Sequence, residues 1–171
     1  VSGFIPGVFE DNSDPEKVLV VFPITRAVYR EFKVLRKNGF YRGLTFERAA
    51  AASAEKFFAR RGIYVRNEGY SESLSTGKVS QKIEISYGKK MKLLLHGILP
   101  SPQDPRKWTP DKVGVYTEDA GDDTLFVISR VDFCWHGVFK LWAKDRGYES
   151  GFEDFVAQAF EEDLYYAGGN I

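Results

Sequence analysis

Asp132, Cys134 and His136 are spaced two residues apart, so on an extended strand they would share one face. A thiolate beside an imidazole is the minimal nucleophile–base pair, which makes this triplet the first candidate for covalent catalysis. Phe133 and Trp135 crowd it, and no cysteine-protease signature surrounds it. A lone cysteine is also more often a small buried hydrophobe. A small enzyme using Cys134/His136 therefore stands as an alternative behind a non-catalytic reading. A second cluster, Glu118-Asp119-Ala120-Gly121-Asp122-Asp123, holds oxygens that could gather around Ca²⁺ or Mg²⁺. It lacks EF-hand spacing, and its Asp and Gly residues are turn formers between two strand patterns, so it reads as a hairpin turn. With one cysteine and two histidines, His96 and His136, the chain lacks the ligands for a Cys/His zinc site. Gly77-Lys78 has neither the preceding glycine nor the following helix of a phosphate-binding loop. The sequence calls for no metal and no cofactor.

The charge is more informative. The chain has 24 basic and 24 acidic residues and a net charge of zero, yet the two signs are sorted by position. Residues 24–66 hold eleven lysines and arginines against three acids, net +8, whereas residues 111–171 hold five against thirteen, net −8. Two opposed fields bear on the choice of partners and not on fold. The basic field sharpens on one predicted helix, where Val28, Phe32 and Leu35 recur at core spacing and Arg26, Arg30, Lys33 and Lys37 line the opposite side. Arg36, Tyr41 and Arg42, with Arg60 and Arg61, extend that face. Clustered guanidinium groups beside Phe40 and Tyr41 suit phosphate contact and base stacking. The same face could equally be a solvated helix surface, or could pair with the acids of its own chain. On the acidic side, Glu153 and Asp154 suit a helix start. Glu161, Glu162 and Asp163 fall near a helix C-terminus, where the dipole disfavours carboxylates unless a basic surface compensates. That surface belongs either to the same chain or to the next copy, and the second case gives head-to-tail assembly.

The elements that must position these groups follow from the pattern. Residues 1–16 read as an irregular arm and 17–171 as a single α+β domain. Residues 17–22 form a buried strand stopped by Pro23. Thr25 caps a helix running to Lys37, ended by Asn38-Gly39, and a second helix runs from Thr45 to Arg60, ended by Gly62. Residues 63–66 enter a sheet, 67–78 form a polar loop, 81–87 and 90–99 pair across Gly88-Lys89, and 100–110 form a proline-rich loop. Residues 112–117 and 124–133 make a further hairpin. Two helices finish the chain, one over 135–146 and one opened by the capping box Ser150-Gly151-Phe152-Glu153. The expected fold is a mostly antiparallel sheet packed by N-terminal and C-terminal helix pairs.

Ser75-Thr76-Gly77-Lys78 before Ile83-Glu84-Ile85, then residues 127–133, then Ala143-Lys144-Asp145-Arg146-Gly147-Tyr148-Glu149-Ser150 with Phe155, resemble stretches of the PUA-like, RNA-associated ASCH domains. Those domains carry an arginine on the strand where this chain has Glu84, and they end on a strand that this chain lacks. The chain is not assigned to the family on this basis. The resemblance implies an RNA partner and adds only to the nucleic-acid reading.

No apolar run approaches the roughly 20 residues of a membrane-spanning helix. The first residues lack the basic and apolar regions of a signal peptide. The expectation is a cytoplasmic protein, or one packaged in a particle, with no membrane partner. Its first function is non-catalytic binding of an anionic partner, nucleic acid foremost, through Arg26, Arg30, Lys33, Arg36, Lys37, Tyr41, Arg42, Arg60 and Arg61. The alternative is a structural subunit whose acidic face, Glu161, Glu162 and Asp163, meets a basic face on another copy or on a protein partner.

Overall fold

The computed structural model describes residues 4–11, 13–14, 16–72, 79–87, 91–98, 112–117 and 123–169. Its elements are β1 (Gly7–Glu10), β2 (Lys17–Thr25), α1 (Arg26–Lys37), α2 (Phe46–Arg60), β3 (Ile63–Glu72), β4 (Val79–Tyr87), β5 (Met91–Ile98), β6 (Gly114–Tyr116), β7 (Thr124–Asp132), α3 (Phe133–Arg146) and α4 (Phe152–Tyr166). The strands form two sheets, ordered β1-β2-β7-β6 and β3-β4-β5, and every ladder is antiparallel. The α+β class and the helix pairs at both ends of the chain agree with the sequence pattern. The division into two sheets does not follow from it.

The centre of the larger sheet is the β2–β7 ladder, in register from Lys17↔Asp132 to Thr25↔Thr124. β2 is apolar without alternation because both of its faces are covered. Val18, Val20, Phe22 and Ile24 face the main core, while Leu19 and Val21 join Phe9 and Ile128 in a smaller cluster behind the sheet. Pro23 does not stop this strand, contrary to expectation. β1 pairs with β2 only as far as Val21, so at Pro23 the ladder has a neighbour on one side alone, where a missing N–H is tolerated. The N-terminal arm is not wholly irregular either. Residues 7–10 form β1 because Phe9 finds a buried place on the far side of the sheet, with Phe4 stacked on Phe126 beside it. Asp11 anchors that arm by accepting hydrogen bonds from the Ser13 N–H at 2.9 Å, from its hydroxyl at 2.6 Å and from Arg130 on β7. Burial pushes the Asp11 carboxyl up, but these bonds outweigh it and hold the group below the usual range.

The helices lie on the other face. Thr25 caps α1 by accepting the Val28 N–H at 3.3 Å, and Val28, Phe32 and Leu35 are buried as their spacing requires. In α2 the small residues Ala49, Ala50, Ser53 and Ala54 are buried and allow close approach to β7, where the Ser129 hydroxyl donates to the Glu47 carbonyl at 2.9 Å. Phe57 and Phe58 then meet Trp135, Trp142 and Phe155 from the C-terminal helices. α3 ends in a left-handed Gly147 at φ 65°. The capping box expected at α4 does not form: the N-cap is Gly151, with no side-chain cap bond. A Cβ on Gly151 would stand 2.5 Å from a Glu153 carboxylate oxygen, so the bare glycine makes room for that carboxylate to fold back over the helix start. The expected loop over 67–78 also begins later, since β3 continues to Glu72 through an irregularity between Asn67 and Gly69. The rest of that stretch (73–78), the whole of the 100–110 loop and the Gly88-Lys89 turn lie outside the described residues.

Phe58 is fully buried and stacks 5.4 Å from Phe155 and 6.1 Å from Trp135. Phe58→Ala removes the ring that joins α2 to both C-terminal helices. It is expected to cost about 3–5 kcal/mol of unfolding free energy in urea titrations. A loss below about 1 kcal/mol would mean that this aromatic contact is not part of the native core.

Candidate functional site

The helix start at Phe133 decides the fate of the cysteine–histidine pair. Cys134 and His136 lie on α3 and not on β7. Two residues on a helix are about 200° apart, so the shared face that an extended strand would have given is absent. Both side chains are buried. Burial, with Asp132 and Glu55 nearby, pushes the Cys134 thiol far above its ordinary value, while burial and Lys140 push His136 down to about 4. The imidazole packs on Phe133 and Phe152. At neutral pH the pair is a thiol and a neutral ring in an aromatic core, without a ready nucleophile. Of the expected carboxylate turn, residues 118–122 lie outside the described residues, and the Asp123 carbonyl accepts the Arg26 N–H at 3.0 Å. Among the described residues no group of three His, Cys, Asp or Glu could hold a metal ion, and no helix is long and apolar enough to cross a membrane.

The basic candidates separate into two sets. Arg60 and Arg61 close α2, and the end of α4 brings Glu162 and Asp163 to them. Arg60 bonds Glu162 at 2.9 Å and Asp163 at 2.5 Å, and Arg61 bonds Glu162 at 2.7 Å. Asp163 also accepts the Tyr41 hydroxyl at 2.9 Å and lies 3.4 Å from Lys56. Its side chain is 6% exposed, so it must be paired, and three donors pair it. Burial raises Glu162, but the bonds from Arg61 and Arg60 bring it below its ordinary value. Burial and the neighbouring Asp163 push the Tyr41 phenol well above its own. Basic segment and acidic C-terminus thus meet within one chain, and Glu162 and Asp163 are occupied there. Glu161 is not part of this joint. It is half-buried, its carboxyl is raised by burial, and it lines a neighbouring groove with Thr25, Ala27, Gln158 and Tyr165, which Glu162 also borders.

The second set stays on α1. Arg30, Lys33, Arg36 and Lys37 are exposed on the side away from Val28, Phe32 and Leu35, with Arg26 partly covered at the same face. Lys33 lies over the Tyr29 ring at 4.3 Å. Arg30, Arg36, Lys37 and Arg42 have no carboxylate partner among the described residues. Past the helix the chain turns through Gly39 (φ 96°), Tyr41 (φ 54°) and Gly43 (φ 72°). This turn sends Tyr41 inward to Asp163 and leaves Phe40 outside. Arg42 folds against Gly39, where a Cβ would come 3.4 Å from its guanidinium. A cavity of about 310 Å³ opens here, lined by the turn, by Lys56 and Arg60, and by Asp163 and Tyr166. Lys56 and Tyr166 were not sequence candidates. Lys56 stands four residues before Arg60 on one helix face, a spacing that could have found it, whereas nothing in the pattern assigns Tyr166.

No family model, no curated protein and no solved structure matches this chain.

Two measurements test the joint and the buried ring. Asp163→Asn keeps the volume and removes the charge, leaving partly buried cations unmatched. It is expected to cost about 2–3 kcal/mol in urea titrations, against less than about 1 kcal/mol for the more exposed Glu162→Gln. Equal small losses would contradict the central place of Asp163. His136 has its folded pKa below its unfolded one, so the unfolded chain takes up the proton first. The stability it protects is present above about pH 6.5 and lost as pH falls towards 4, on the order of 3 kcal/mol in all. The His136→Asn variant should lack that component of the stability–pH curve. An unchanged curve would show that His136 does not carry it.

Proposed function

We propose that this protein binds nucleic acid, without catalysing a reaction, along the outer face of α1. The observation that carries the reading is the pairing pattern. The cations ending α2 are matched by carboxylates, whereas Arg30, Arg36 and Lys37 on α1, with Arg42 just beyond it, have no such partner among the described residues. Residues 26 and 30, 30 and 33, and 33 and 37 are neighbours on the helix, and each like-charge neighbour costs about 0.2–0.5 kcal/mol. The helix dipole accounts for Arg36 and Lys37, which lie in the last turn. It does not account for Arg30, which lies in the first half of the helix, far from the C-terminal turn where the dipole favours cations. A row of phosphates would offset the whole stripe.

The core side of α1 makes this a rigid platform. Val28, Phe32 and Leu35 are nine-tenths or more buried, so the stripe is held at a fixed orientation with its charges outward. Phosphate contacts of this kind grip the backbone and carry no base sequence, so the affinity supplied by α1 alone is non-specific and falls steeply with salt.

The test is fluorescence anisotropy with labelled, mixed-sequence oligonucleotides. Five phosphate contacts give a slope of roughly −3.5 for log K against log salt on a single strand. Combining Arg30→Glu, Lys33→Glu and Lys37→Glu, all at exposed positions, should leave the circular dichroism spectrum intact and lower affinity about a hundredfold or more. The slope should flatten by about 2. No binding at about 50 mM salt, or an affinity indifferent to salt, overturns the proposal.

A further inference from the structure

We propose that the cavity at the end of α1 receives one unpaired base of a strand whose phosphates lie along that helix. The inference rests on the nucleic-acid reading above and adds a place where the strand's bases are engaged, while α1 holds only its backbone.

The first argument is size. At about 310 Å³ the cavity sits at the lower end of the roughly 300–1,000 Å³ typical of small-ligand sites, suited to a single ring system and not to a stretch of chain. The second is its rim. Five large hydrophobic side chains are exposed among the described residues, and two of them, Phe40 and Tyr166, line this one cavity. Phe40 is 45% exposed and meets no other ring among the described residues. Tyr166 is 65% exposed, with the Arg60 guanidinium 4.6 Å from its ring centroid and Tyr165 standing edge-on to it at 5.6 Å. Exposed aromatic faces beside cations are what an unstacked base requires, and stacking of this kind tolerates any base.

The third argument is the interior. The Asp163 carboxylate is fixed by Tyr41 and Arg60, and the Lys56 ammonium stands over the Tyr41 ring at 5.4 Å with only a 3.4 Å contact to Asp163. An ammonium has three protons to donate, so Lys56 retains donors for a base carbonyl or ring nitrogen. The fourth is continuity. Arg42 lies against Gly39, at the end of α1 and two residues from Phe40 on the cavity rim, so the turn carries a further cation next to the aromatic rim. The turn is built for this placement: a non-glycine residue, Tyr41, holds a left-handed φ of 54°, and that conformation puts its hydroxyl inside and its neighbour Phe40 outside.

A paired base cannot enter such a cavity, so the contribution of the rim must be specific to single strands. The experiment compares the wild type with the double variant Phe40→Ala and Tyr166→Ala on a labelled single strand and on its duplex. Both positions are exposed, and circular dichroism checks the fold. The single-strand affinity should fall about tenfold, with the duplex affinity and the salt slope unchanged. A single 2-aminopurine in the strand should change its emission on binding wild type and not on binding the double variant. Equal losses on both nucleic acids, or no loss on either, would overturn the base site, while the α1 reading would survive as long as the wild type binds with steep salt dependence. A wild type that binds neither nucleic acid removes both proposals. Free adenosine monophosphate that occupies the cavity without weakening strand binding would assign it to a mononucleotide and overturn the strand proposal.

Discussion

The helical face of this protein is organised by one buried carboxylate. Asp163 sits near the end of α4, where the helix dipole disfavours negative charge, and its side chain is almost removed from water. A carboxylate in that position is tolerable only if donors surround it. They come from separate parts of the chain: Arg60 and Lys56 from α2, and Tyr41 from the turn after α1. Satisfying Asp163 therefore fixes the end of α2 against α4 and ties the left-handed turn at Tyr41 to the same point. Glu162 extends the joint outward to Arg60 and Arg61, where water weakens each pair and geometry matters more than energy.

The aromatic core makes that arrangement rigid. Phe160, one turn before Asp163, packs edge-on against Phe46 at 4.8 Å and also meets Phe32 and Tyr41. One ring thus contacts α1, the turn and α2 together, directly beneath the ionic joint. Beneath these helices lie β2 and β7, whose pairing joins residues 99 to 115 positions apart. The helices pack against that distant ladder, so the geometry of the joint depends on the whole topology.

Local signals were legible in the sequence and long-range ones were not. The Thr25 cap, the buried stripe of α1 and the glycine end of α3 depend on neighbours within a turn or two, and spacing alone reveals them. Pro23 misled because its tolerance depends on where β1 ends, a fact of tertiary structure. The cysteine–histidine pair misled for a related reason. A two-residue spacing describes one face only if the backbone is extended, and the chain turns helical at Phe133, one residue before it. The charge sorting was visible, but the meeting of Arg60 and Arg61 with Glu162 and Asp163 spans about a hundred residues and leaves no periodic trace. Tyr166 had no signal at all, since an exposed tyrosine at a helix end resembles any other.

The balance of charge sharpens what α1 means. With 24 acids for 24 bases, the chain does not lack carboxylates to neutralise this helix. The fold sends Glu162 and Asp163 to α2 and leaves Glu161 facing a different groove, although α4 runs beside α1. That Arg30, Arg36 and Lys37 find no carboxylate among the described residues of a chain so supplied is a matter of placement. A merely soluble surface needs mixed signs and gains nothing from a row of aligned cations. In the proposed binding mode the negative charge that offsets it comes from outside the chain. An anion with regularly spaced charges fits a helical row better than any single carboxylate would.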